Sequence, residues 1–139
     1  MTTAITPPFV AHLDIRHLYG NSESASAEVT LAPHHLNRSG SAHGGLVATL
    51  LDTTLSRAAL LACESQGRVV TVEMSASFIN PGLGTLRCWA WPTRRIESWV
   101  FLEGEVCDES GLLVARGSAS FKHRLMPSDK GTAMRQAGC

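Results

Sequence analysis

Asn37–Gln66 reads NRSGSAHGGLVATLLDTTLSRAALLACESQ, and this stretch decides the fold. Up to Gly45 it is polar and glycine-rich. Beyond that point Leu46, Val47, Leu50, Leu51, Leu55, Ala58, Ala59 and Ala62 recur at the 3.6-residue period and share one face of a helix. Such a helix makes about five turns, roughly 30 Å at ~1.5 Å per residue. No proline interrupts it, and Gly67 follows as a stop signal. In a chain of 139 residues it is the central core element.

Working outward, the flanking segments read as strands. Ser24–Leu31 alternates Ala25, Ala27, Val29 and Leu31 with Ser26, Glu28 and Thr30, and Pro33 ends it. His34–Ser41 is a loop into the helix. After the helix, Val69–Ile79 sets Val70, Val72, Met74, Ala76 and Phe78 against Thr71, Glu73, Ser75 and Ser77. Asn80-Pro81-Gly82 breaks it. Thr85–Trp91, Trp99–Cys107 and Leu112–His123 follow, with Pro92–Ser98 a hairpin region or bent strand and Asp108–Gly111 a tight polar turn. Phe9–Leu18 reads equally as a helical turn or a first strand. Met1–Pro8 is a loose lead-in. The order is strand, one long helix, then four strands whose short turns demand antiparallel neighbours. One helix covers one face of a sheet, so the class is α+β in a single domain over 1–139. Its ordered core is expected at 9–125, with a flexible tail at 126–139.

Composition narrows the functional classes. Twelve Lys+Arg balance twelve Asp+Glu, which favours neither nucleic acid nor a membrane surface. No apolar run approaches the ~20 residues of a membrane span, and the N-terminus lacks a signal-peptide pattern. Cys63, Cys88, Cys107 and Cys139 are scattered without metal-type spacing, as expected of reduced thiols in a cytoplasmic protein. Asn37-Arg38-Ser39 matches a glycosylation pattern that has no meaning there. His34, His35 and His43 lack a cysteine or carboxylate pattern to complete a metal site. Ser39 and Ser41 are not in a nucleophile elbow, and Gly82–Arg87 is no dinucleotide fingerprint. Trp89, Trp91 and Trp99 are expected in sheet and interface packing.

Chemistry concentrates in the central stretch. Gly44 and Gly45 open the helix, where the first N–H groups lack internal partners and sit at the positive end of the helix dipole. That is a receptor for an anion or a polarised carbonyl oxygen. A glycine pair at this place serves close helix packing equally well. Asp52 falls in the apolar middle of the helix, either on a wet face beside Thr53 and Ser56 or as a general base that activates water. Gly44 and Asp52 are ~12 Å apart along the axis, whereas attacking water must lie within about 3.5 Å of the carbonyl carbon. One helix struggles to supply both groups. Two antiparallel copies across a two-fold axis can, so cooperation of the two residues requires at least a dimer.

The pattern Asn37-x5-His43-Gly44-Gly45-x7-Asp52, followed by Thr71-Val72-Glu73-Met74, resembles the hot-dog-fold acyl-CoA thioesterases of the PaaI/THEM-like group. The similarity spans roughly Ala25 to His123. It implies an antiparallel curled sheet wrapped around one long central helix. It also implies that the Gly44 N–H meets the thioester carbonyl oxygen and that Asn37 assists there and fixes the loop. His43 would support the loop and the acyl end, with Gly45 beside it in the substrate site. Asp52 of the partner subunit would act as general base or nucleophile, and Thr71 would orient the water. The coenzyme A arm would run along the sheet rim near Asn80, Arg94, Arg95, Ser98 and His123. A solvated hairpin tip is the plainer reading of that arginine pair.

The expected activity is hydrolysis of an acyl-CoA thioester to a free acid and CoA by a homodimer or homotetramer, without a cofactor or metal. The resemblance points to an aromatic acyl group such as phenylacetyl, with a medium-chain group next. A hydratase or dehydratase of the same fold would need a histidine–carboxylate pair, which the Asp52 spacing suits less well. A non-catalytic acyl-CoA-binding module could dispense with Asp52, and a regulator would carry a basic segment that is missing here.

Overall fold

The computed structural model describes residues 6–126. The proposed lead-in, Met1–Pro8, lies largely outside them, as does the proposed tail with Cys139. A short helix α1, Pro8–His12, is followed by strands β1, Arg16–Gly20, and β2, Ala25–Thr30, so the ambiguous Phe9–Leu18 segment contains both a helical turn and a strand. A 3-10 turn at Pro33–His35 leads to the long helix α2, Gly44–Ala62. Strands β3, Arg68–Phe78, β4, Thr85–Ile96, β5, Trp99–Asp108, and β6, Leu113–Arg124, complete the domain. All six strands form one antiparallel sheet in the order β1-β2-β4-β5-β6-β3. It curls around α2, which packs on its concave face, and this is the hot-dog fold.

The core lies between α2 and the sheet. Leu50, Leu51, Leu55 and Ala59 are fully buried against Ala25, Ala27, Leu86, Cys88, Ala90, Val100, Val106, Ala115 and Phe121. Ala62, expected on this face, is only partly buried. α2 sits closely because the strands beneath it lack side chains where it touches down. Gly104 and Gly117 are cross-strand partners. A Cβ added at either would meet a Leu51 methyl, at 3.5 and 3.3 Å respectively. α2 has 19 residues and is as long and apolar as a short membrane-crossing helix, but half of its apolar window is taken up by the sheet. That corrects the expectation that no segment reaches such a length.

Three other expectations need correction. Gly67 does not stop α2, which ends at Ala62 with Cys63 as C-cap. Glu64 and Ser65 take left-handed conformations, and Gly67, at φ 74°, turns into β3 where a Cβ would strike the Arg124 carbonyl oxygen at 2.2 Å. The short connection at 79–84 does not make β3 and β4 neighbours. It crosses beneath the start of α2, anchored by Ala42 N–H to the Gly82 carbonyl at 2.9 Å, and delivers β3 to the far edge beside β6. Finally, β3 does not alternate continuously. The ladder slips between Thr71 and Glu73. Val69 packs on the core with Met74 and Ala76, while Val70 and Val72 are 47% and 53% exposed. The extra residue of this bulge switches the face that the strand presents on its two sides.

On the outer face, Glu28 of β2 lies between Arg16 of β1 and Arg87 of β4. One carboxylate oxygen takes a hydrogen bond from Arg16, and the other takes one from Arg87 Nη2 at 2.9 Å. Arg87 also lies over Trp89, and Lys122 over Trp99, with ring-centroid distances of 5.7 and 4.4 Å. The Arg16 hydrogen bond, then that of Arg87, holds the Glu28 carboxyl below its usual range against the opposing effect of burial. A depressed carboxyl pKa stabilises the fold fully above the ordinary value of 4.5 and loses that contribution as pH falls through the folded-state value. Glu28→Gln should therefore cost about 1 kcal/mol at pH 7. The gap to the parent should narrow as pH falls below the ordinary value of 4.5 and close once the parent carboxyl protonates in the folded state. Melting curves of both proteins across that range measure it.

Candidate active site

The start of α2 is held by a loop that Asn37 organises. Asn37 Oδ1 accepts from the N–H groups of Ser39 and Ser41 at 2.9 and 3.1 Å, and Nδ2 donates to Ser41 Oγ at 3.0 Å. The second hydrogen of that amide stays available. His43 is the N-cap, with its Nδ1 accepting from the Gly45 N–H at 2.9 Å. Its own N–H donates to the His35 carbonyl at 2.8 Å. The two glycines thus divide their labour. A Cβ on Gly45 would press on His43 Nδ1 at 3.1 Å, so this glycine leaves room for the cap. A Cβ on Gly44 would only touch Phe78 at 3.8 Å, so packing within the chain does not require glycine there. Neither serves helix–helix packing within the chain. As the first helical residue Gly44 has no intrahelical acceptor, and its N–H finds no other among the described residues. It opens on a cleft of about 390 Å³ lined by Asn37, Ser41, Val47, Phe78 and Asn80.

Asp52 lies further along α2 in a different cleft, of about 560 Å³, with Thr49, Thr53, Ser56, Thr71 and Met74. It is half-buried on the flank of the helix, and Thr71 Oγ1 donates to its Oδ1 at 2.8 Å. The β3 bulge makes that bond possible. Thr71 pairs with Phe121, a core residue, so its side chain shares the helix-facing side of the sheet. Unbroken alternation with Met74 and Ala76 inward would have turned Thr71 away. The hydroxyl expected to orient water donates to the carboxylate. One residue on, Thr53 Oγ1 is 3.3 Å from His17 Nε2. His17 has its other ring nitrogen buried without a partner, and burial followed by the charge of Arg57 lowers its pKa.

The residues assigned to the coenzyme A arm do not converge within one chain. Asn80 stands in the Gly44 cleft, its Nδ2 donating to the Leu113 carbonyl at 2.8 Å. The others stand at the opposite end of α2. Arg95 donates to the Ala62 carbonyl at 3.2 Å, closing the last helical turn. His123 Nε2 is 2.6 Å from the Gln66 carbonyl, and its N–H donates to the Ser98 carbonyl at 2.7 Å. Arg94 is exposed. Asp14, His34 and His35 lie close enough together to suggest a metal. His35, however, accepts from the Ala32 N–H at Nδ1 and contacts the Leu13 carbonyl with Nε2 at 2.8 Å, so both ring nitrogens are committed.

Sequence reasoning missed α1 as part of the site. Pro7, Phe9 and Val10 form one bank of the Asp52 cleft. The signal was present in Pro7-Pro8, since proline is favoured at the first position of a helix.

The thioesterase superfamily model matches residues 39–115, a span that includes Gly44, Asp52 and Thr71. The crystal structure of S. sahachiroi AziG is 28% identical over 86% of this chain and 98% of that one, with a TM-score of 0.80. E. coli PaaI, from the phenylacetic acid degradation operon, shares the fold at 23% identity over 85% of each chain, with a TM-score of 0.76. A Haemophilus influenzae thioesterase does so at 20% identity, covering 84% of this chain and 82% of its own, with a TM-score of 0.78. No curated protein is significantly similar. Because the superfamily model covers more than half of the chain, the chain belongs to the thioesterase superfamily, and its wrapped sheet has the hot-dog fold.

Proposed function

We propose that the protein hydrolyses acyl-CoA thioesters, with each reaction centre shared between two subunits. The observation that carries this is the pairing of two unfinished clefts on one helix. One offers an unpartnered N–H at Gly44 and the other a carboxylate fixed by Thr71, ~12 Å further along. In a two-fold dimer each helix start faces the flank of its partner's helix. The Gly44 N–H, helped by the helix dipole, receives the charge that develops on the thioester oxygen. Asp52 of the partner takes the proton from water as it attacks the carbonyl carbon, or attacks that carbon itself. Thr71 holds the carboxylate in place for either route. Edge strand β3, with Val70, Val72, Phe78 and Ile79 exposed, is the natural place for the two copies to meet. The PaaI likeness and the apolar lining of the Asp52 cleft favour an aromatic or medium-chain acyl group.

Asp52→Asn should lower kcat by a factor of about 10² to 10⁴ while leaving the fold and CoA binding intact. Full activity in that variant would remove Asp52 from the mechanism. Gly44→Pro deletes the donor hydrogen in a backbone that accepts proline. Gly44 is the first helical residue, and His43 before it, at φ −61° and ψ 138°, already has the extended conformation that a following proline requires. A folded Gly44→Pro protein should be about 10²-fold slower. The shared centre itself is tested by refolding the two dead variants together. Each mixed dimer has one intact centre, so an equal mixture should recover about a quarter of the parent rate. No recovery would mean that each chain works alone. Thr71→Val keeps the shape of the side chain and removes the hydroxyl, and should cost about tenfold in kcat with little change in KM.

A further inference from the structure

We propose that Phe9 selects the acyl group and that the group it selects is aromatic. This rests on the thioesterase reading of Asp52, but it arises from a different part of the chain. α1 has five residues, of which Val10 alone is buried. Val10 is buried at 6% exposure, and its carbonyl accepts from the Ile15 N–H at 3.2 Å, fixing α1 to the core through Ile15. Phe9, next to it, is 62% exposed and contributes little to that core. Its ring instead forms a wall of the Asp52 cleft.

The lining explains what such a ring can recognise. The cleft is a trough along the flank of α2 from Ala48 to Ser56, ~12 Å of helix with Asp52 at its middle. The α2 side is built of small residues, Ala48, Thr49, Thr53 and Ser56 beside Asp52, which leave the space open. Phe9 of α1 and Met74 of β3 both line the cleft. A phenyl ring and a thioether lining the same cleft suit a flat aromatic group. The first offers offset or edge-to-face stacking and the second a sulfur–aromatic contact. A straight acyl chain gains only the area it buries. The volume of about 560 Å³ is ordinary for a small-molecule site.

Initial rates of CoA release by the parent, Phe9→Ala and Phe9→Leu, on phenylacetyl-, benzoyl-, hexanoyl- and octanoyl-CoA, test the proposal. The parent should prefer the aromatic pair. In Phe9→Ala the aromatic-to-alkyl ratio of kcat/KM should fall about tenfold, chiefly through KM. Phe9→Leu should fall between the two. Because the ring is exposed, the melting temperature should be unchanged in both variants. An unaltered ratio, or a parent that prefers alkyl chains, overturns the proposal. Affinity for phenacyl-CoA, a thioether that cannot be hydrolysed, separates this proposal from the hydrolytic reading. If no thioester is cleaved but Phe9→Ala weakens phenacyl-CoA binding about tenfold, the selection stands and hydrolysis falls. If thioesters are cleaved with no dependence on Phe9 in either assay, hydrolysis stands and the selection falls. No cleavage and no Phe9-dependent binding removes both.

Discussion

The contact between Leu51 and the glycine pair Gly104–Gly117 governs the rest of the architecture. Leu51 seats closely on the sheet where these two neighbouring strands both lack a Cβ, most tightly over Gly117. Once it is seated, the rotation of α2 about its own axis is set. Successive residues turn by about 100°, so Asp52 is carried out of the core and onto the flank. A side chain at Gly117 would press on Leu51, where even a Cβ comes within 3.3 Å of its methyl. The packing of an apolar core thereby fixes the orientation of the one acidic group on α2.

Each other part of the site is held by a feature that serves the fold first. The connection at 79–84 crosses to reach the far edge of the sheet and in passing places Asn80 beside Gly44. The bulge at Val72 relieves a mismatch between β3 and β6 and in doing so turns Thr71 toward Asp52. The His43 cap uses the Gly45 hydrogen and leaves that of Gly44 for a ligand. These groups are already held by hydrogen bonds, those of the Asn37, His43, Asn80 and Thr71 side chains among them, so the site is pre-organised within the chain.

Much of this was legible in the amino acids. The helical period from Leu46 to Ala59 reports burial directly, and the alternation in Leu86, Cys88 and Ala90 matches a strand with one face on the core. Asn37, His43, Gly44, Asp52 and Thr71 form a local pattern because four of them lie on or next to one helix and the fifth on the strand after it. What could not be read depends on partners remote in the chain. The bulge was invisible because Val72 is apolar and continues the alternation through the slip. The pairing of β3 with β6 was hidden behind a short connection that looks like a hairpin. Glu28 draws its stabilisation from arginines on two other strands, so only the register reveals it. The arginines of the 92–98 segment lie far from Asn80 because α2 separates the two groups along its length, a distance that residue types do not encode.

The placement of β3 has a consequence for biosynthesis. This strand leaves the ribosome well ahead of β6, its ladder partner among the described residues, since residues 79–112 must follow before β6 begins. Throughout that interval an unpaired ladder bearing Val70, Val72 and Phe78 is open to chance encounters with other nascent chains. The same strand carries Thr71, so a polypeptide that stalls or is cut short before β6 lacks the ladder that holds this hydroxyl against Asp52. Incomplete chains are thus both prone to aggregate and without the contact that fixes the carboxylate.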